Sequence, residues 1–163
     1  MRLRFLIATV LSVVGLAACN SIDSTETPVK VNPLVPIEET TFAPALGVNL
    51  AASTKTADGL YYRDIVVGTG TLITSNHTVG VYYAGQFASG TQFDARQSPA
   101  TPFSFLLGAG GVIKGWDEGV VGMRVGGKRQ LIVPPALGYG PIDYQGIPGN
   151  SVLVFTVEAI SVQ

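Results

Sequence analysis

Apolar and polar positions alternate over residues 151–162 (SVLVFTVEAISV), with Leu153, Phe155 and Val157 on one face and Thr156 and Glu158 on the other. A period of two marks a strand with one buried face. Runs of β type also occupy 60–67 (LYYRDIVV), 78–87 (TVGVYYAGQF), 103–107 and 124–133 (RVGGKRQLIV). Ala88-Ser89-Gly90-Thr91, just before Phe93, reads as a hairpin turn. One segment departs from this pattern. In VIKGWDEGV (112–120) the apolar residues at 112/113, 116, 120 and 123 follow helical spacing, and Lys114, Asp117 and Glu118 take the polar side. Gly115 and Gly119 make it a poor autonomous helix, so tertiary packing must hold it. The pattern predicts an α+β fold: an antiparallel sheet with one short α-helix laid on it.

Composition divides the chain into three parts. All but two of the glycines and all but two of the aromatics lie after residue 57, which marks 57–163 as the folded domain. Residues 20–56 hold four prolines (28, 33, 36 and 44), one Gly and one aromatic, Phe42, with no sustained period. Such a stretch reads as a flexible tether, with local docking of the short apolar run Pro44-Ala45-Leu46-Gly47-Val48 left open. Arg2 and Arg4 open the chain, and residues 5–18 form a mostly apolar run too short for a bilayer, which needs about 20 residues. That is the pattern of a cleaved secretory signal over 1–18. Its ending, Leu16-Ala17-Ala18-Cys19, resembles the lipobox of bacterial lipoproteins. The resemblance implies acylation of Cys19 as the first mature residue and a lipid-anchored tether over 19–56. Asn20, where an Asp would resemble an inner-membrane retention signal, points to the outer membrane facing the periplasm.

Charge and rare residues narrow the chemistry. The formal net charge is −1, and removing Arg2 and Arg4 leaves eight basic against eleven acidic residues, or −3. Such a chain lacks the basic face that nucleic-acid binding requires. One Cys and one His leave no disulfide framework, no multi-cysteine zinc site and few ways to pair a nucleophile with a base. Gly108-Ala109-Gly110-Gly111 lacks the ending of a phosphate-binding P-loop and reads as a loop needing positive φ. Lys128-Arg129 reads as a solvated edge, and His77 as a polar turn residue. Adjacent Asp117 and Glu118 would point about 100° apart on a helix, which does not suit an acid/base pair. The remaining candidates are aromatic. Trp116, alone of its kind, is placed equally well to floor a pocket or to fill a core.

In order along the chain, VYYAG (81–85), GTQFD (90–94), PFSF (102–105), GVIKGWDEGVVGM (111–123), VPPALGYG (133–140) and LVFTVE (153–158) resemble the FKBP-type peptidyl-prolyl cis/trans isomerases. The resemblance implies a curved antiparallel sheet wrapped around the short helix, with a pocket between them. It places Trp116 as the pocket floor, Tyr83, Phe103 and Phe155 as walls, and Val112 and Ile113 along a rim. The Ile113 N–H and the Tyr139 hydroxyl would donate toward substrate carbonyls. Phe93 and Asp94 would border the rotating carbonyl, and Ile147 would sit on an overhanging loop. No metal or cofactor is implied.

Two positions depart from the family pattern. Pro99 stands where many members carry an Arg that pairs with the pocket Asp, and the 141–148 loop is about one residue short, with Asp143 and Tyr144 near the place of a His. The implied partners are proline-containing polypeptides, macrolide inhibitors and, through Cys19, a lipid bilayer. No long helical dimerisation arm precedes the domain, so a monomer is expected. The implied role is folding assistance for exported proteins at the bacterial cell envelope. The alternative is a binding module that holds proline-containing segments without turnover.

Overall fold

In a computed structural model, the described residues are 32–163. The signal-like residues and Cys19 lie outside them.

Seven strands form one antiparallel sheet: β1 (Thr54–Lys55), β2 (Tyr61–Val66), β3 (Thr78–Phe87), β4 (Gln92–Arg96), β5 (Phe103–Leu106), β6 (Lys128–Val133) and β7 (Leu153–Val162). Their order is β1-β2-β6-β7-β3-β4, with β5 also paired to β3. The helix α1 spans Lys114–Gly119. The architecture is therefore the expected α+β arrangement. The hairpin between β3 and β4 turns over Ala88–Thr91 and is closed by the Phe87 N–H donating to the Thr91 carbonyl at 2.9 Å. Two strands were not anticipated, β1 and β4. The first is two residues long and the second carries a single large apolar side chain, Phe93, so neither has an apolar period to read.

Alternation along the strands separates two apolar layers. Leu131 and Val133 of β6 join Leu153, Phe155, Val157 and Ala159 of β7 under the helix, around Trp116, Val120 and Leu60. Gly115 and Gly119, one helical turn apart, let α1 lie flush on β6: a Cβ at either would stand 2.6 Å from Val133 or 2.7 Å from Leu131. The residues between, Tyr61, Ile132, Val152 and Val154, face the other side.

That other side is covered by the segment expected to be a tether. Three short 3-10 turns, Ile37–Glu39, Pro44–Leu46 and Leu50–Ala52, run across the back of the sheet. Ile37 and Leu46 are buried against Ile132, Val152 and Val154. The buried amide of Gln130 donates to the Leu46 carbonyl at 2.7 Å. So within the expected 19–56 tether, residues 32–56 are a packed strap. The physical reason is that β6 and β7 are apolar on both faces, and exposed apolar sheet gains by being covered.

Arg129 also departs from expectation. It is 6% exposed rather than solvated. Its guanidinium makes a bidentate pair with Asp64 at 2.7 and 3.0 Å, and donates to the carbonyls of Gly119 and Val121 at 2.9 and 3.1 Å. It also lies 4.6 Å from the centre of the Tyr62 ring. A cation on the last carbonyls of a helix satisfies acceptors that the helix leaves free. Arg129 thereby fastens the C-terminal end of α1 to the sheet.

Candidate active site

Between α1 and the inner face of β3, β4, β5 and β7 lies a cavity of about 170 Å³. It is lined by Tyr83, Asp94, Phe103, Val112, Ile113, Trp116, Tyr139, Phe155 and Gly111. Eight of the ten residues expected around a pocket are therefore brought together. Phe93 and Ile147 stand apart from this lining. They border an adjoining depression that shares Asp94 and Tyr139 with the cavity and is also bounded by Tyr144. Ile147, on the 141–150 loop, is buried.

Trp116 is nearly buried, and other rings surround it at a slant or edge-on. Its centroid is 5.0 Å from Tyr83 at 84°, 5.5 Å from Phe155 at 88°, 6.2 Å from Phe103 at 78° and 5.6 Å from Phe105 at 58°. Edge-to-face pairs suit the ring quadrupoles and hold the indole in one orientation. Its N–H is buried without an acceptor among the described residues. The neighbouring rings offer at most weak π acceptors. Phe105 packs against the indole and had no pocket role assigned from the sequence, although PFSF places it two residues from Phe103, on the same face of a strand.

Gly85 governs how closely the second aromatic layer packs. A Cβ there would come within 2.8 Å of both Phe93 and Phe155. Without one, these rings meet edge-on at 5.6 Å. Phe93 thus supports the Phe155 wall from outside the cavity.

The polar edge of the cavity is organised by a few bonds. The Tyr83 hydroxyl donates to Asp94 Oδ2 at 2.7 Å, which fixes the carboxylate without the Arg that Pro99 replaces. Arg96 is turned away, its Nε donating to the Thr101 carbonyl at 2.7 Å. Burial, followed by the hydrogen bond to Asp94, pushes the Tyr83 hydroxyl well above the ordinary tyrosine range. Burial also raises Tyr139, with the charges of Asp94 and Tyr144 adding to it. Both hydroxyls are protonated donors at neutral pH. Neither the Tyr139 hydroxyl nor the Ile113 N–H has an acceptor among the described residues, so both are free for a ligand.

Asp117 turns out to hold the approach to the helix. Its two carboxylate oxygens accept from the N–H groups of Gly108 and Gly110 at 2.8 and 3.0 Å. Both glycines have positive φ, 83° and 71°, as the loop reading expected. Among the described residues, no three His, Cys, Asp or Glu side chains come together as a metal site would require. His77 lies in a turn beside Thr74 and Ser75.

Residues 70–160 match the family model described as FKBP-type peptidyl-prolyl cis-trans isomerase. The chain belongs to the FKBP family. It is 45% identical over 113 residues to FK506-binding protein 4 of Gibberella zeae, covering 69% of this chain but 23% of that protein. It is 44% identical over 125 residues to FK506-binding protein 2 of Dictyostelium discoideum, covering 71% of this chain and 89% of that one. Among solved structures it resembles FkpA from Escherichia coli, with a TM-score of 0.63 and 39% identity over 69% of this chain and 52% of that chain. The chain spans less than a third of the length of the fungal FKBP relatives it matches.

Proposed function

We propose that this chain is a peptidyl-prolyl cis/trans isomerase whose site is the Trp116 cavity, and that it assists folding of exported proteins at a bacterial cell envelope. The observation that carries the catalytic reading is the aromatic box itself. A Trp floor, walls of Tyr83, Phe103 and Phe155, and two unspent donors at the rim suit a prolyl ring flanked by carbonyls.

Rotation about a prolyl bond breaks no covalent bond, but it must overcome amide resonance, a barrier of about 18–20 kcal/mol. The twisted amide is less polar than the planar one, because charge returns from the carbonyl oxygen to nitrogen. A pocket that strips water from the amide therefore favours the twisted form over the hydrated planar form. In this reading Trp116 seats the ring, and Val112 and Ile113 line its rim. The Ile113 N–H and the Tyr139 hydroxyl hold the flanking carbonyls. Asp94, oriented by Tyr83, and Phe93 border the carbonyl that swings. Ile147 supports the neighbouring subsite.

The matched relatives are named for FK506 binding, and the same lining suits a macrolide here. The anchor reading rests on the Leu16-Ala17-Ala18-Cys19 box. Acylation of Cys19 would hold a monomeric domain at the outer membrane, facing the periplasm. No helix among the described residues is long and apolar enough to cross a membrane.

The test is prolyl isomerisation by the full chain on X-Pro peptides that vary the preceding residue. Acceleration over the spontaneous rate, lost in a folded Trp116→Ala variant, is the expected result. A folded chain with no acceleration would overturn catalysis and leave a segment-binding module. For the anchor, Cys19→Ser is expected to move the protein from the membrane to the soluble fraction.

A further inference from the structure

The loop over 141–150 borders the candidate site, and of its side chains only Ile147 is set into the main core. Its neck is closed by the Asn150 N–H donating to the Gly140 carbonyl at 2.9 Å. Its tip is a small ladder in which Tyr144 and Ile147 exchange backbone bonds of 2.9 and 2.8 Å. Asp143 accepts from the Gly149 N–H at 2.8 Å, bracing tip to neck. These bonds tie the tip of the segment to its neck. Toward the site it offers buried Ile147 and the Tyr144 ring, stacked on Tyr139 at 5.3 Å and 14°.

The neck is gripped from outside by the strap. The side-chain amide of Asn32 donates to the Gly149 carbonyl at 3.1 Å, and the side-chain amide of Asn150 donates to the Asn32 carbonyl at 2.6 Å. This pair joins residues more than a hundred positions apart. Asn150 has φ of 59°, a conformation that Gly and Asn tolerate best. Of those two, only Asn also supplies an amide donor. On the strap side, Asn32 is backed by Ile37 and Leu46, which are set into the rear core.

We propose that Asn32 and Asn150 form a latch that sets the 141–150 loop over the site, making Asn32 a positioning residue for substrate binding. This rests on the isomerase reading. The depression bordered by Phe93, Asp94, Tyr139, Tyr144 and Ile147 abuts the Trp116 cavity, so it receives the residues flanking the prolyl ring. The latch fixes the side of that depression that the loop supplies. Flank contacts persist while the prolyl bond turns, so they support ground and transition states alike. Loosening them raises KM and leaves kcat nearly unchanged.

Two variants cut one bond each without straining the backbone. Asn32→Asp keeps the shape and removes one donor; Asn150→Gly keeps the positive φ and removes the other. In the full chain each is expected to raise KM for X-Pro peptides several-fold, on the scale of one hydrogen bond at about three- to tenfold, with kcat within about twofold. Amide exchange should quicken within 141–150 and stay unchanged in β3, β6 and β7. The double variant should be little worse than either single one, because either cut frees the same neck. Unchanged KM with faster loop exchange would refute the positioning role. Unchanged exchange, or fully additive effects, would refute the latch. If the wild-type chain shows no turnover, the isomerase reading fails first. Affinity for the same X-Pro peptides then replaces KM, with a several-fold loss supporting the latch and no loss refuting it.

Discussion

Trp116 sits where the largest change in function per atom is expected. Replacing it by Ala removes the floor of the cavity and the partner of four rings. Burying one aromatic ring contributes about 1.5–3 kcal/mol, so kcat/KM should fall roughly ten- to a hundredfold in an X-Pro relaxation assay. Tyr139→Phe removes one donor and keeps the ring on Tyr144. A loss of about three- to tenfold is expected, the scale of a single hydrogen bond. The same hydroxyl predicts a pH profile. Burial holds Tyr139 above the ordinary tyrosine value, so any alkaline loss of activity from this donor should set in at higher pH than an exposed tyrosine would give, and should be absent in Tyr139→Phe. At this scale the sequence was informative wherever a side chain's chemistry is unusual for its surroundings. A lone Trp on a glycine-interrupted helix pointed to a special place. Phe93 and Ile147 line the adjoining depression and not the cavity itself, a distinction that a motif cannot make because it gives position along the chain, not depth from a cavity.

Helix α1 illustrates why an element's support can lie far from it in sequence. Six residues with two glycines form no stable helix alone, and a flush seat on β6 together with Arg129 provides what the local sequence lacks. Arg129→Met leaves Asp64 without its partner and the carbonyls of Gly119 and Val121 without a donor. We expect a loss of about 3 kcal/mol, read from the denaturant midpoint, with part recovered when Asp64→Leu is added. The helical period of 112–120 was legible because it concerns neighbours in sequence. The clamp was not. Arg129 follows Lys128 in an ordinary basic pair, and nothing local tells that one of them is buried against a carboxylate 65 residues away. The strap was partly legible. Val152 and Val154 alternate with Leu153 and Phe155, so β7 is apolar on both faces near its start and something must cover the second. Reading only one face of that strand turned a packed segment into a tether.

Across the molecule, the strap is tied down at both ends and in the middle: by Asn32 at the 141–150 neck, by Gln130 at Leu46, and by a Glu38–Lys55–Tyr61 cluster near β1. The Lys55 ammonium, then the Tyr61 hydroxyl, donate to Glu38 and hold its carboxyl down at about 2, against an ordinary 4.5. A carboxyl depressed on folding stabilises above its unfolded value and loses that support as pH falls through its folded one. The cluster should therefore weaken between pH 4.5 and 2, and Glu38→Gln should flatten that part of a stability-against-pH curve. The strap also shortens the molecule's reach. Were Cys19 acylated as proposed, the chain would be pinned again at Asn32, thirteen residues on, and that stretch spans at most about 45 Å whatever its path. A free tether up to residue 56 would extend to about 130 Å. The pinned end is at the neck of the loop that borders the site, so a chain anchored as proposed would hold that site in a thin layer against the bilayer. An acylated chain would thus be placed to meet segments as they emerge at the membrane, before they move far from it.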